Sequence, residues 1–229
     1  MLEWVGQVML PGAPGFWLLV DLLAGGAVWF LLARIPVRWQ SLTRILRWLL
    51  IPWLALMLGV IAPQTMGLTH IAWQETLTLG LGIVLTVFVL LAAVRYTLRT
   101  TETPPVGREY LMQGPSAPLL PFFAALFHGA EEFHWCFQRA VFAVLLVTAP
   151  WALETPDYWA IWLATLVALP SVLLYRKGMV RLHALVALLG TAILFFYTQN
   201  FWLCWLLHAG IMIMAGSAHT RSELNTQTI

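Results

Sequence analysis

Charged residues are scarce in this sequence. Only 10% of the 229 residues are Asp, Glu, Lys or Arg, whereas 61% are hydrophobic. A soluble globular domain averages about 25% charged and about 45–50% apolar residues, so this composition excludes that class of protein. We therefore predict an all-α polytopic membrane protein whose principal partner is the lipid bilayer.

Cysteine and long polar segments are also nearly absent. The two cysteines, Cys136 and Cys204, both fall in apolar runs, which argues against a secreted disulfide framework and for buried thiols. The longest polar stretch is a connector at 98–117 that is rich in proline and glycine. We find no internal repeat and no separate soluble domain, and therefore predict one transmembrane domain over 1–229.

Seven apolar runs are each long enough to cross a bilayer, whose hydrocarbon core of about 30 Å needs about 20 apolar residues per helix. They lie at 16–33, 46–63, 77–94, 131–151, 158–175, 182–198 and 200–217. A shorter apolar stretch at 118–127 precedes the fourth run, and one helix over both would be roughly 50 Å long, too long for a single crossing. We therefore predict about seven transmembrane helices, three of them within 1–97, with a break near Gly129 or a short lead-in or re-entrant segment before the fourth.

The basic residues indicate how the chain is oriented in the membrane. Eleven of the twelve lie in alternate connections or near the C-terminus, namely Arg34, Arg38, Arg44, Arg47, Arg95, Arg99, Arg108, Arg176, Lys177, Arg181 and Arg221. Because cytoplasmic loops carry an excess of Lys and Arg, we expect a bacterial plasma membrane protein with its N-terminus outside and its connector 98–117 and C-terminus in the cytoplasm. The same rule accounts for these residues without a nucleic-acid partner. Arg139 is the exception, because it lies in the middle of a predicted span.

The segment "HGAEEFHWCFQRA" at 128–140 places several charged groups in an apolar span. An acid or arginine at the centre of a span costs about 2.5–3.5 kcal/mol, so three unpaired ones would cost about 7–10 kcal/mol and must find partners. On a helix, His128, Glu131, Glu132 and Arg139 share one face about 100° wide. Glu132 and Arg139 lie within about 20° of each other, so the guanidinium can reach the carboxylate across one turn or through a water. Two interpretations stay open: a structural ion pair that fixes helix packing, and a catalytic or ligand-binding site.

Histidines on two later spans are candidates to complete such a site. His183 lies near the start of the sixth span and His208 near the middle of the seventh. Together with the adjacent acids they can hold a water molecule while one acid accepts its proton. Imidazole is equally a ligand of zinc, iron, haem or (bacterio)chlorophyll, and the candidates for such a cofactor are His128, His134, His183 and His208. The Glu131 and His134 spacing occurs in di-iron bundles, but this sequence has no copy of it on another helix.

Asp21 is the only other acid within a predicted span. A buried carboxylate must be hydrogen-bonded or paired with a charge. We therefore expect Asp21 either to have a single hydrogen-bond partner or to belong to a second polar cluster.

The pair Glu131–Glu132 followed by Arg139, with His183 and His208 on later spans, resembles the CPBP (Abi, CAAX-protease-like) family of intramembrane glutamic proteases. The family has a Glu-Glu pair followed by Arg, then a Phe-x-x-x-His helix, then a His-x-x-x-Asn/Asp helix. The best likeness is "YTQNFWLCWLLHAGIMIMAG", and the resemblance covers roughly 118–218. The chain departs from the family pattern at three places: Arg139 follows Glu132 by seven residues instead of four, Met179 stands where Phe is usual, and Met212 stands where Asn or Asp is usual.

The resemblance implies an endopeptidase in which Glu131 is the general base on a water, Glu132 and Arg139 form a supporting pair, and His183 and His208 hold the water and the oxyanion. It implies a membrane-associated peptide as substrate, either a prenylated C-terminus or a transmembrane or leader segment, and it requires no metal. The alternative is an inactive CPBP-like scaffold or accessory subunit that binds a pigment, haem or metal through its histidines or docks on a larger membrane complex. A transporter is disfavoured because the sequence contains no internal repeat.

Overall fold

The computed structural model describes residues 2–32, 34–100, 120–151, 153–176 and 178–226, and within these ranges it contains helices and no strands. The helices are α1 (Leu2–Val8), α2 (Pro14–Leu32), α3 (Val37–Met57), α4 (Trp73–Glu75), α5 (Leu81–Thr100), α6 (Leu120–Val147), α7 (Pro156–Tyr175), α8 (Gly178–Thr198) and α9 (Phe201–Thr226). A π-helical segment, Thr76–Gly80, joins α4 to α5 without a break. The all-α class predicted from composition is confirmed. The predicted connector lies mostly outside the described residues.

Four helical segments of the described chain are long and apolar enough to cross a membrane. They are Pro14–Leu32, Trp73–Val94, Pro156–Leu174 and Val180–Thr198, with a shorter apolar stretch at Phe201–Met214. Large apolar side chains on their surfaces are exposed, as expected of helices that face lipid. Two other predicted spans overlap with α3 and α6. These helices have 21 and 28 residues, but they carry several charged side chains.

The boundaries of α3 differ from the predicted span at 46–63. The helix begins at Val37, includes the basic side chains that were assigned to a connection, and ends at Met57, where Leu58 caps it. Residues 58–63 form turns. The difference arises because hydropathy detects the apolar part of a helix, whereas α3 begins with a polar turn after Pro36, and proline before a helix start is favourable.

Helix α6 lies at the centre of the bundle, where it packs against α2, α3, α7 and α9, while α8 packs against α7 and α9. Every residue from Ala130 to Val141 except Phe133 is buried. A helix that is surrounded by other helices can carry polar groups on several faces, provided that each group meets a partner. The central part of α6 therefore faces protein all round instead of lipid.

No break occurs at Gly129, so this one of the alternatives predicted before the fourth span is wrong, and the residues from Leu120 form the first turns of α6. Helix α6 runs through this position, and Gly129 instead permits a close approach of α9: a Cβ atom here would lie 2.6 Å from Nε1 of Trp205. The same indole nitrogen donates a hydrogen bond to the carbonyl oxygen of Ala125, 2.8 Å away. The 28-residue helix would span about 42 Å, longer than a bilayer core, and its first turns extend past the packed centre of the bundle.

Replacing Gly129 with alanine is expected to destabilise the protein by about 1–3 kcal/mol, because the added methyl group displaces the indole of Trp205 and breaks its hydrogen bond to Ala125. The control is Gly26→Ala in α2, where a Cβ would meet nothing within 4 Å and where alanine favours the helix. Thermal unfolding in detergent, followed by size-exclusion chromatography, compares the two. Equal melting temperatures for both variants would contradict the close packing of α6 against α9.

The start of α9 is fixed by the turn before it. Oδ1 of Asn200 accepts a hydrogen bond from the backbone N–H of Leu203 at 3.2 Å, which is an N-terminal cap. The N–H of Phe201 donates to the carbonyl of Gly67 at 3.0 Å. Gly67 has φ +69°, a conformation that glycine adopts without strain. These contacts anchor the first turn of α9 and so determine the depth at which His208 enters the bundle two turns later.

Candidate functional site

An ion pair between Glu132 and Arg139 lies at the centre of the bundle. Nη1 of Arg139 donates to Oε1 of Glu132 at 2.8 Å, and both side chains are buried. Nη2 of Arg139 donates to Oγ1 of Thr191 in α8 at 2.9 Å, and the guanidinium lies over the ring of Phe195. Side chains in a helix point toward its N-terminus, so the long arginine spans two turns directly and needs no water.

The two cysteines pack around this ion pair. Cys136 and Cys204 are both free and buried, as predicted. Sγ of Cys136 lies 3.5 Å from Nη1 of Arg139, and Sγ of Cys204 lies 3.6 Å from the carbonyl oxygen of Thr191. Their positions beside a charged pair and away from solvent indicate a packing role.

Glu131, the neighbouring acid, makes a different set of contacts. Its Oε2 accepts a hydrogen bond from Nη2 of Arg176, the residue that follows α7. The same oxygen lies 3.4 Å from Nε2 of His208 and 3.6 Å from Nδ1 of His128. The positive-inside rule assigned Arg176 to a cytoplasmic connection, and nothing in the sequence separates it from its basic neighbours; in the structure it is buried and pairs with Glu131.

His208 connects the two acids. Its Nδ1 lies 3.1 Å from Oε2 of Glu132, and its ring stacks on the indole of Trp135 with centroids 4.6 Å apart and an interplanar angle of 7°. Because a carboxylate only accepts hydrogen bonds, Nδ1 of His208 must carry a proton. The stacking and the hydrogen bond together fix the plane of the ring, with its other nitrogen directed toward Glu131.

His128, Glu131 and His208 form a group whose ligand atoms all lie within 4.8 Å of one another. Among the described residues, these three are the histidine, cysteine or acidic side chains that lie close enough together to hold one metal ion. The structure therefore brings together Glu131, Glu132, Arg139 and His208 of the predicted site, and adds His128. His183 is half-buried near the start of α8 and is not a member of this group.

The residues at which the chain departs from the CPBP pattern lie in different surroundings. Met212, which stands where the family has Asn or Asp, packs against an apolar cluster that contains Trp135 and Leu188. The hydroxyl of Thr191 supplies a polar partner to Arg139 from α8 instead. The side chain of Met179 lies outside the described residues.

A second polar cluster surrounds Asp21. Of the two arrangements expected for this residue, a single hydrogen-bond partner or a polar cluster, the structure has the cluster. Oδ1 of Asp21 lies 2.7 Å from Nε2 of His134 and 3.6 Å from Nη2 of Arg47, and Oδ2 accepts a hydrogen bond from Nε2 of Gln138 at 2.9 Å. The cluster joins α2, α3 and α6. His134 is therefore committed to Asp21, on a face of α6 different from that of Glu131.

Comparison of the chain with protein-family models, with curated proteins and with solved structures found no match.

Proposed function

We propose that the chain is an intramembrane endopeptidase, similar to the CPBP proteases, in which Glu131 activates a water molecule for attack on a membrane-associated peptide. The observation that carries the proposal is the arrangement around Glu131. Its carboxylate faces Nδ1 of His128 and Nε2 of His208, and both ring nitrogens are buried without a hydrogen-bond partner. A buried site with unsatisfied polar atoms around an acid is suited to bind a water.

In the proposed reaction, Glu131 accepts a proton as the oxygen of the water attacks the carbonyl carbon of the peptide. The imidazole of His128 donates to the oxyanion, Nε2 of His208 accepts a hydrogen bond from the water and so orients it, and the proton held by Glu131 passes to the leaving amine. We assign the second imidazole to His128 instead of His183, because His128 lies next to Glu131. The pair of Glu132 and Arg139 holds His208 in place through its Nδ1.

The proposed topology has seven spans, α2, α3, the helix from α4 through α5, α6, α7, α8 and α9, with the N-terminus outside a bacterial plasma membrane. Arg176 and Arg181 then lie at the cytoplasmic face, because they flank the connection between α7 and α8. His128 lies near the start of α6 and is half-buried, so the site is nearest to water and lipid at that face. A prenylated C-terminus, or a leader or transmembrane segment entering from the cytoplasmic leaflet, is the class of substrate that fits.

Cleavage by the protein in proteoliposomes tests the proposal. Prenylated C-terminal peptides and transmembrane peptides are supplied, and products are identified by mass spectrometry. We expect cleavage of at least one class, with a loss of about 10²-fold for His128→Gln, which removes the donor to the oxyanion, or for His208→Gln, which removes the group that orients the water. His70→Asn is the control, because His70 is exposed and outside the cluster. A loss in His183→Gln but not in His128→Gln would contradict the assignment of His128, and equal rates in all variants would contradict the site.

The second candidate is an accessory membrane protein without hydrolytic activity. Met212 favours it, since an apolar side chain packs where the CPBP pattern has a polar one. Haem held between His128 and His208 does not fit, because Oε2 of Glu131 lies beside the facing nitrogen of each ring, where the iron would have to be. A visible spectrum of the purified protein identifies a bound pigment, since a hydrolase of this kind is colourless, and the cleavage assay separates the hydrolase from a colourless accessory protein.

A further inference from the structure

We infer that His128, Glu131 and His208 bind one divalent transition-metal ion, with zinc as the best fit. Zinc binds imidazole nitrogen at about 2.0–2.1 Å and carboxylate oxygen at about 2.0–2.2 Å, so two ligands of a tetrahedral ion lie about 3.3–3.5 Å apart. Oε2 of Glu131 lies 3.4 Å from Nε2 of His208 and 3.6 Å from Nδ1 of His128. These two separations match a tetrahedral site, and all three ligand atoms lie within 4.8 Å of one another. The inference is independent of the proposed hydrolysis, since an accessory protein can hold the same ion.

The protonation of His208 points to a cation. Nδ1 of His208 donates its proton to Glu132, so in the neutral ring Nε2 presents a lone pair. That lone pair faces a carboxylate oxygen of Glu131, which also presents lone pairs, and Nε2 has no hydrogen-bond partner. Nδ1 of His128 is likewise buried and unpartnered beside the same oxygen. A cation between the three atoms, which a metal ion supplies, would satisfy both ring nitrogens and the carboxylate oxygen at once.

The surroundings of His208 are those of a metal ligand. A ligating histidine commonly donates its other N–H to a carboxylate, which fixes the tautomer and the ring plane. Glu132 has this position, and Arg139 in turn holds Glu132 at 2.8 Å. Trp135 stacks on the ring and restricts its rotation further. Two imidazoles and one carboxylate favour zinc, iron or cobalt over magnesium and calcium, and leave a fourth coordination position for water.

Arg176 is the group that opposes metal binding. Its guanidinium pairs with Oε2 of Glu131, the oxygen that the ion would share. The charges of Glu131, Glu132, Arg139 and Arg176 sum to zero, so an added divalent ion leaves the site positive. Arg176 directly follows α7, and its guanidinium has to leave Oε2 of Glu131 for the ion to bind there. Removal of its charge should therefore strengthen binding, whereas removal of either histidine should weaken it.

Metal titration of the full-length protein in detergent tests the site. Chelator-treated protein is titrated with Zn²⁺, and the retained metal is measured by mass spectrometry after desalting. Co²⁺ serves as a second probe, because its visible absorption reports coordination by imidazole and carboxylate. We expect one ion per chain, a loss of affinity of at least about 100-fold in the His128→Gln/His208→Gln double variant, and a gain of about tenfold in Arg176→Gln. His70→Asn is the control for adventitious binding at an exposed histidine, and asparagine tolerates the φ of +57° at that position.

Two results would overturn the inference: a wild-type protein that retains no zinc, and a double variant that retains as much as the wild type while eluting as a folded species. The outcome is separable from the proposed function. If zinc binds at the three ligands and no peptide is cleaved, the proposed hydrolase is wrong and the metal site is supported. If the protein cleaves a peptide and binds no zinc, the metal site is wrong and the proposed hydrolase is supported.

Discussion

Glu131→Gln is expected to lower the rate of peptide cleavage by about 10²–10⁴-fold, the usual contribution of a general base. Glutamine has nearly the shape of glutamate and still accepts a hydrogen bond from Arg176, but it cannot take a proton from water. Arg176 loses its counter-ion in this variant and keeps the amide oxygen of the glutamine as a hydrogen-bond acceptor. Single-turnover cleavage in proteoliposomes measures the chemical step, with thermal unfolding recorded on the same preparations.

The matched control is Glu154→Gln, which makes the same chemical change at an exposed position between α6 and α7. We expect its cleavage rate to equal that of the wild type. If Glu131→Gln cleaves at a rate within about tenfold of the wild type, Glu131 is not the general base. A variant that loses activity together with its melting transition would indicate a structural role, so the two measurements are interpreted together.

Arg139→Met is expected to reduce the free energy of unfolding by about 3–5 kcal/mol, because it leaves the carboxylate of Glu132 buried without its counter-ion. The double variant Glu132→Gln/Arg139→Met removes both charges and should recover most of this loss. Arg34→Met is the control, since Arg34 is exposed and its replacement should change the stability by less than about 0.5 kcal/mol. Reversible unfolding in mixed micelles, followed by tryptophan fluorescence, gives the free energies.

The same double variant distinguishes the two interpretations of the ion pair. If Glu132 and Arg139 only fix the packing of α6, a double variant that regains stability should also regain cleavage. If the pair holds His208 for the reaction, cleavage should stay low although stability returns, because a neutral glutamine side chain at position 132 would no longer offer a charged acceptor to Nδ1 of His208. A single Arg139→Met variant as stable as the wild type would contradict the buried pair itself.

Helical periodicity was sufficient to predict much of the site on α6. The stripe that contains Glu131, Glu132 and Arg139 follows from the angle per residue, and the cost of unpaired charge in a membrane requires partners. The pairing of Glu132 with Arg139 was therefore predictable. Whether the two side chains meet directly or through a water depends on the reach of the arginine side chain. His208 was identified as a candidate because a histidine in the middle of an apolar span is uncommon.

The partners from outside the spans were not predictable. Arg176 belongs to a basic connection that the positive-inside rule explains completely. The sequence therefore contains no signal for its burial against Glu131. The contact between Gly129 and Trp205 is similar: a glycine in a helix can indicate a break or a close approach, and only the position of α9 decides between them. Both depend on which helices are neighbours, which hydropathy does not encode.

The cluster around Asp21 has a consequence for how the site can open. Viewed along α6, His134 and Gln138 lie about 110° and about 70° around the axis from the midpoint between Glu131 and Glu132. Rotation of α6 in either direction would break the contacts of both faces together, so this helix is fixed against turning. Helix α7 meets the site through Arg176, which pairs with Glu131, and through Ala168 and Val172, which pack in one apolar cluster with Trp135. We therefore expect α6 to be the stationary element that keeps the reacting groups in register, and the ion pair of Arg176 with Glu131 to be the polar contact that an entering peptide displaces.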